Sequence, residues 1–157
     1  MSLTHFDEQG NTHMVDISQK NASHRVAIAT GKVCCSPEVI GAIRNQNFAK
    51  GDVLSVAQLA GIMGSKRTSD LIPLCHVLPV DSVQVELHIE GESAIQIRST
   101  VQTVWKTGVE MEALTAVSVA ALTVIDMVKS MDKSVYIEAI KLLHKSGGKG
   151  GNWSRES

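Results

Sequence analysis

Val83-Gln84-Val85-Glu86-Leu87-His88-Ile89 alternates apolar and polar residues without a break, Glu90-Gly91-Glu92-Ser93 supplies a turn, and Ile95, Ile97 and Val101 resume the alternation beyond it. Successive side chains of a strand point to opposite faces, so the stretch predicts a β-hairpin with one buried face. What flanks the hairpin decides the fold class. Upstream, His24 to Cys34 also has period two, with Val26, Ile28 and Thr30 on one face and Ala27 and Ala29 on the other, and predicts a strand. Between them, Ser36-Pro37-Glu38 offers an N-cap serine, a proline at the first helical position and an early acid, predicting a short helix to about Asn45. Lys50-Gly51-Asp52 interrupts the chain. Val53, Val56, Ala57, Leu59, Ala60 and Met63 then recur at helical spacing, for a second helix ending near Lys66-Arg67. Thr68 to Pro79 reads as a loop bracketed by Pro73 and Pro79.

Downstream, Thr107-Gly108-Val109-Glu110 fits a capping box, in which threonine and glutamate each satisfy a free backbone N–H. A long helix is expected from there to about Lys129, then a last strand from Ser134 to Leu143. The order is β, α, α, β, β, α, β. With the two early helices counted as one crossover, this is an α+β, ferredoxin-like βαββαβ sandwich with an extra helix in the first crossover. There is no internal repeat and no linker, so one domain is expected over residues 1–157. Residues 1–23, polar and without a period, read as a mobile arm, and residues 145–157 as a Gly-rich flexible tail.

The 157 residues suffice to bury a core. Net charge is −1, so no global field draws the chain to nucleic acid or to an acidic membrane, and an anionic ligand needs a local cluster of cations. Aromatics are 3% of residues, too few for the stacking platforms of an RNA-binding sheet. The three cysteines, Cys34, Cys35 and Cys75, are odd in number and two are adjacent, which is neither a disulfide framework nor a metal knuckle. Free thiols in a reducing cytoplasm are the expectation. Met1 to Glu8 has no basic or apolar leader region. The longest apolar run, Ala113 to Val128, carries Thr115, Ser118, Thr123 and Asp126 and falls short of the ~20 residues of a bilayer span, so it reads as a buried helix and no membrane partner is expected.

Candidate chemistry sits at element ends. Lys50, Lys66, Arg67 and Lys129 flank helices, where a lysine at a helix C-terminus also simply complements the dipole. Arg25 on the first strand equally suits a solvated edge. Lys145-Ser-Gly-Gly-Lys149 lacks the order of a phosphate-binding P-loop and opens no helix, leaving either a closing lid or a plain terminus. Cys75-His76 is too short a pair to chelate a metal, but a histidine between two prolines suits a ligand contact. Asp126 interrupts Leu122-Thr-Val-Ile-Asp-Met-Val, and Lys129, three residues on, can pair with it structurally or as an acid–base couple. Glu112 and Asp126 lie within about 40° of one another around the helix but ~21 Å apart along it. They therefore grip opposite ends of a long ligand or serve two copies of a site shared between subunits.

The blocks His13-Met-Val-Asp-Ile-Ser, Lys50-Gly-Asp-Val, Ala60-Gly-Ile-Met, Lys66-Arg-Thr-Ser-Asp-Leu-Ile-Pro-Leu-Cys-His, Lys106-Thr-Gly-Val-Glu-Met-Glu-Ala-Leu-Thr-Ala and Lys145-Ser-Gly-Gly-Lys resemble the molybdenum cofactor biosynthesis protein C family, the cyclic pyranopterin monophosphate synthases. The resemblance runs from about Leu3 to Trp153. It implies a lyase acting on 3′,8-cyclo-7,8-dihydroguanosine 5′-triphosphate without metal or cofactor. It further implies a homohexamer, a trimer of dimers with sites at subunit interfaces, and an upstream radical-SAM enzyme as pathway partner. By the same resemblance Asp126, Lys129 and Lys50 are catalytic. Leu74, Cys75, His76, Glu110, Met111 and Glu112 bind the substrate, with Arg25, Lys66, Lys145 and Lys149 toward its triphosphate. Val77 and Asp70 depart from the family's usual proline and glutamate, which puts the pose of the Cys75-His76 loop in question. Rival readings are a non-catalytic ferredoxin-like effector-binding module and an enzyme of another pterin pathway acting on GTP itself.

Overall fold

In the computed structural model of the chain, which describes residues 5–46 and 52–156, the hairpin takes its place in the order β1 (Ser23–Cys34), α1 (Pro37–Arg44), α2 (Val53–Ser65), α3 (Thr68–Leu71), β2 (Ser82–Glu90), β3 (Ala94–Trp105), α4 (Glu110–Val128), β4 (Tyr136–Ser146), β5 (Trp153–Ser154). The strands form one antiparallel sheet in the order β2-β3-β1-β4-β5. The first four repeat the ferredoxin-like arrangement, with β3 inserted between β1 and β2.

Local signals explain most element ends. The Ser36 hydroxyl accepts from Val39 N at 3.4 Å to start α1, and Asp52 Oδ1 accepts from Leu54 N at 3.0 Å to start α2. Asp132 ties the turn after α4 to the start of α1, because its carboxylate accepts from Ser36 N and from Ser134 N, both at 2.8 Å. Those hydrogen bonds hold Ser134 in the turn, so β4 begins at Tyr136 and not at the predicted Ser134.

The core lies between the sheet and α4, which packs on β1, β3 and β4 and against α2. Ala27, Ala29, Val33, Ile97 and Val101 of the sheet are buried against Ala113, Val117, Ala120 and Val124 of α4. The two helices approach closely because small residues meet: a Cβ added at Gly61 would lie 2.9 Å from the Ala116 carbonyl oxygen.

Three expectations need correction. Thr68 to Pro79 is not all loop, since α3 forms one turn in which buried Thr68 donates from Oγ1 to the Ser65 carbonyl at 2.8 Å. The capping box at Thr107 does not form. Val109 is the N-cap, no side chain caps the helix, and Glu110 is the first helical residue, too early to reach back to the cap. The tail expected from residue 145 begins inside a strand, because β4 continues to Ser146 and Trp153 and Ser154 fold back to pair with Lys145 and His144.

Candidate functional site

Two adjoining cavities open at the start of α4. The first, of about 420 Å³, is walled by three segments distant in sequence. The arm contributes Val15, Ile17 and Lys20, the loop after α3 contributes Leu74, Cys75 and His76, and the α4 start contributes Glu110, Met111 and Glu112. His76 Nε2 donates to the Val15 carbonyl at 2.7 Å and Lys106 Nζ to the Ser18 carbonyl at 2.8 Å, so the arm is held over the loop by two side chains.

Glu112 is only 3% exposed, its Oε1 lies 4.0 Å from the Cys75 sulfur, and its Oε2 is buried without a hydrogen-bond partner. Burial pushes this carboxyl up to about 7, with the nearby Glu110 charge adding to the rise. Burial also raises the Cys75 thiol, helped by Glu112 and Glu110. A buried carboxyl with a vacant oxygen at a cavity wall is suited to accept from a ligand N–H, or to give up a proton near neutral pH.

The second cavity, of about 560 Å³, shares Lys20, Thr107, Gly108 and Glu110 with the first and is lined in addition by Arg25, Lys106, Lys145 and Lys149. Its cations thus come from the arm, β1, the β3–α4 turn, β4 and the segment after β4. Arg25 Nη2 donates to the Lys106 carbonyl at 3.4 Å, while its Nε is buried without a partner. The guanidinium occupies the space that a Cβ at Gly148 would fill, and the φ of +73° there also favours glycine. Lys145 Nζ lies 3.6 Å from Glu110 Oε1. Five cations around one opening concentrate positive charge locally, which is what an anion would need where the net charge is near neutral.

The structure therefore brings together nine of the expected residues: Leu74, Cys75, His76, Glu110, Met111 and Glu112 at the first cavity, and Arg25, Lys145 and Lys149 at the second, with Glu110 on both. Lys66 is the C-cap of α2 and borders a shallow recess beside His76 and Glu112, away from the other cations. Asp126 and Lys129 pair with one another at the far end of α4 and line neither cavity. The apolar run had suggested a buried aspartate. Its side chain is instead 62% exposed, because Leu122, Asp126 and Lys129 share the helix face turned away from the sheet. Lys50 lies outside the described residues. Among the described residues, no three His, Cys, Asp or Glu side chains converge as metal ligands.

Sequence reasoning missed Lys20 and Lys106, and the lining role of Val15 and Ile17. A signal existed, since His13–Ser18 and the block opening at Lys106 carry the family resemblance, but an aperiodic polar arm gives no reason to place it over a site.

Residues 14–148 match the MoaC family. Three proteins named cyclic pyranopterin monophosphate synthase are similar over nearly the whole chain. That of Streptomyces griseus subsp. griseus is 57% identical over 153 residues, covering 98% of this chain and 86% of its own. That of Dinoroseobacter shibae is 55% identical over 155 residues, covering 98% of each. That of Thermomicrobium roseum is 52% identical over 155 residues, covering 98% and 93%. With a ferredoxin-like sandwich and a family match over residues 14–148, the chain belongs to the MoaC family.

Proposed function

We propose that the chain is a cyclic pyranopterin monophosphate synthase of molybdenum cofactor biosynthesis. It converts 3′,8-cyclo-7,8-dihydroguanosine 5′-triphosphate to cyclic pyranopterin monophosphate and releases pyrophosphate. The observation that carries this reading is the joining of a cavity walled by a buried, partnerless carboxyl to a second cavity ringed by five cations. A nucleotide-derived triphosphate has that division of chemistry along its length. Its purine-derived end offers N–H donors to Glu112. Its phosphates need Arg25, Lys20, Lys106, Lys145 and Lys149, which also stabilise the leaving pyrophosphate.

Ring opening and closure of the cyclic phosphate require protons to move, and side-chain acid–base chemistry of the lyase type is assigned to Asp126, Lys129 and Lys50 by family resemblance. In one chain, Asp126 stands 14 residues along α4 from Glu112, ~21 Å at the helical rise. That separation favours a site shared between subunits, in which the finish of α4 in one protomer meets the cavities of another. Apolar Leu122, Val56, Leu59 and Met63 are exposed on the same pair of helices, as a protomer contact would require. The family resemblance implies a homohexamer of three dimers, cytoplasmic and supplied by an upstream radical-SAM enzyme.

The test is direct. The purified chain incubated with the cyclic guanosine triphosphate intermediate should yield pyrophosphate and cyclic pyranopterin monophosphate, while GTP alone should yield neither. Formate or pyrophosphate from GTP alone would sink the reading in favour of another pterin pathway.

A further inference from the structure

The second cavity holds five cations and one carboxylate, that of Glu110. The carboxylate is not used as a helix cap, although Glu110 is the first residue of α4 and that helix has no side-chain cap. It folds instead over Gly108, where a Cβ would collide with it, and faces Lys145 across 3.6 Å. This is ion-pair range but longer than the ~2.8 Å of a charge-assisted hydrogen bond, and both side chains are 31% exposed. The contact is loose and open to solvent, so it exchanges at low cost. Of the other cations, Lys106 donates to the Ser18 carbonyl and lies within electrostatic reach of the Asp16 carboxylate, which lines neither cavity, and Arg25 donates to the Lys106 carbonyl.

We propose that Glu110 is the resident counter-ion of this cavity, occupying on Lys145 a seat that a phosphate group of the ligand takes over, so that its charge limits how tightly a polyphosphate is retained. The inference rests on the reading of the second cavity as the polyphosphate site. Before ligand arrives, the carboxylate offsets repulsion among five clustered cations. Once phosphate sits on Lys145, Glu110 is left a like charge beside it, which weakens binding of the departing pyrophosphate. The device trades affinity for release.

The experiment is calorimetric titration of the full-length protein with inorganic pyrophosphate. Glu110→Gln, which keeps the shape and removes the charge, should bind it roughly fivefold more tightly than wild type, the size of one partly exposed ion pair. Gly108→Ala, which removes the seat of the carboxylate, should shift affinity in the same direction. In a Lys145→Gln background, the gain from Glu110→Gln should shrink to roughly twofold or less, as expected when the two groups act as a pair. Unchanged or weaker pyrophosphate binding by Glu110→Gln, with wild-type binding intact, overturns the inference alone. Failure of wild type to bind pyrophosphate, or binding indifferent to Arg25→Ala and Lys149→Ala together, overturns the cavity reading and the inference with it.

Discussion

Cys75 and Glu112 meet at the wall of the first cavity, the thiol sulfur 4.0 Å from Glu112 Oε1, while Glu112 Oε2 is buried and has no partner. Both groups are pushed toward their protonated forms, chiefly by burial. A neutral thiol against a neutral carboxyl avoids the cost of a buried charge, and it leaves one oxygen vacant for a ligand. The protonation of the pair is tied to stability.

Folded Glu112 titrates near 7 against an ordinary value of 4.5. Between those limits the folded chain keeps a proton that the unfolded chain has released, so stability falls as pH rises through that window. The total is on the order of 3 kcal/mol. Glu112→Gln should remove the slope: urea midpoints of variant and wild type should converge near pH 4, with the variant higher at pH 8. Parallel curves for the two proteins across this range would show that Glu112 is not the titrating group.

If the two ends of α4 serve one site in different protomers, inactive variants should rescue one another. Asp126→Ala and Glu112→Ala should each lose turnover, and unfolding and refolding them together in equal amounts should restore roughly a quarter of wild-type activity, since mixed dimers regain one intact site in two. No recovery from co-refolded protein of native size would place both residues in the same chain's site.

Gly148→Ala should act through Arg25. A methyl group there collides with the guanidinium, and φ of +73° is strained for any L side chain. Displacing one charge-assisted donor should raise KM for the triphosphate substrate about tenfold or more, with a stability cost of about 1 kcal/mol. Steady-state kinetics beside urea titration separates the two effects; an unchanged KM would remove Arg25 from the anion site.

Gly61→Val should destabilise without touching either cavity. The added Cβ meets the Ala116 backbone carbonyl at 2.9 Å, which no rotamer change relieves. A loss of about 1–3 kcal/mol is expected in denaturant unfolding, with KM unchanged in the remaining folded protein.

The sequence by itself carried most of what acts over a few neighbouring residues. The alternation around Glu90–Ser93 set the hairpin, Ser36-Pro37 started α1, and the sequence blocks marked Cys75, His76 and Glu112 as one family's residues. The strand order followed, because few topologies accept that run of elements. Other features depended on partners far along the chain. Glu110 is the first residue of α4, too early for the predicted capping box, and its carboxylate lies over the bare Cα of Gly108, facing Lys145 of β4. Lys20 and Lys106 come together at the second cavity only once the arm crosses the loop under the hydrogen bonds of His76 and Lys106. Asp126 is exposed because the sheet packs on the opposite face of α4, a choice its own apolar neighbours could not reveal. Periodicity reports which side of an element is apolar; which side chains converge on a ligand is set by three-dimensional approach.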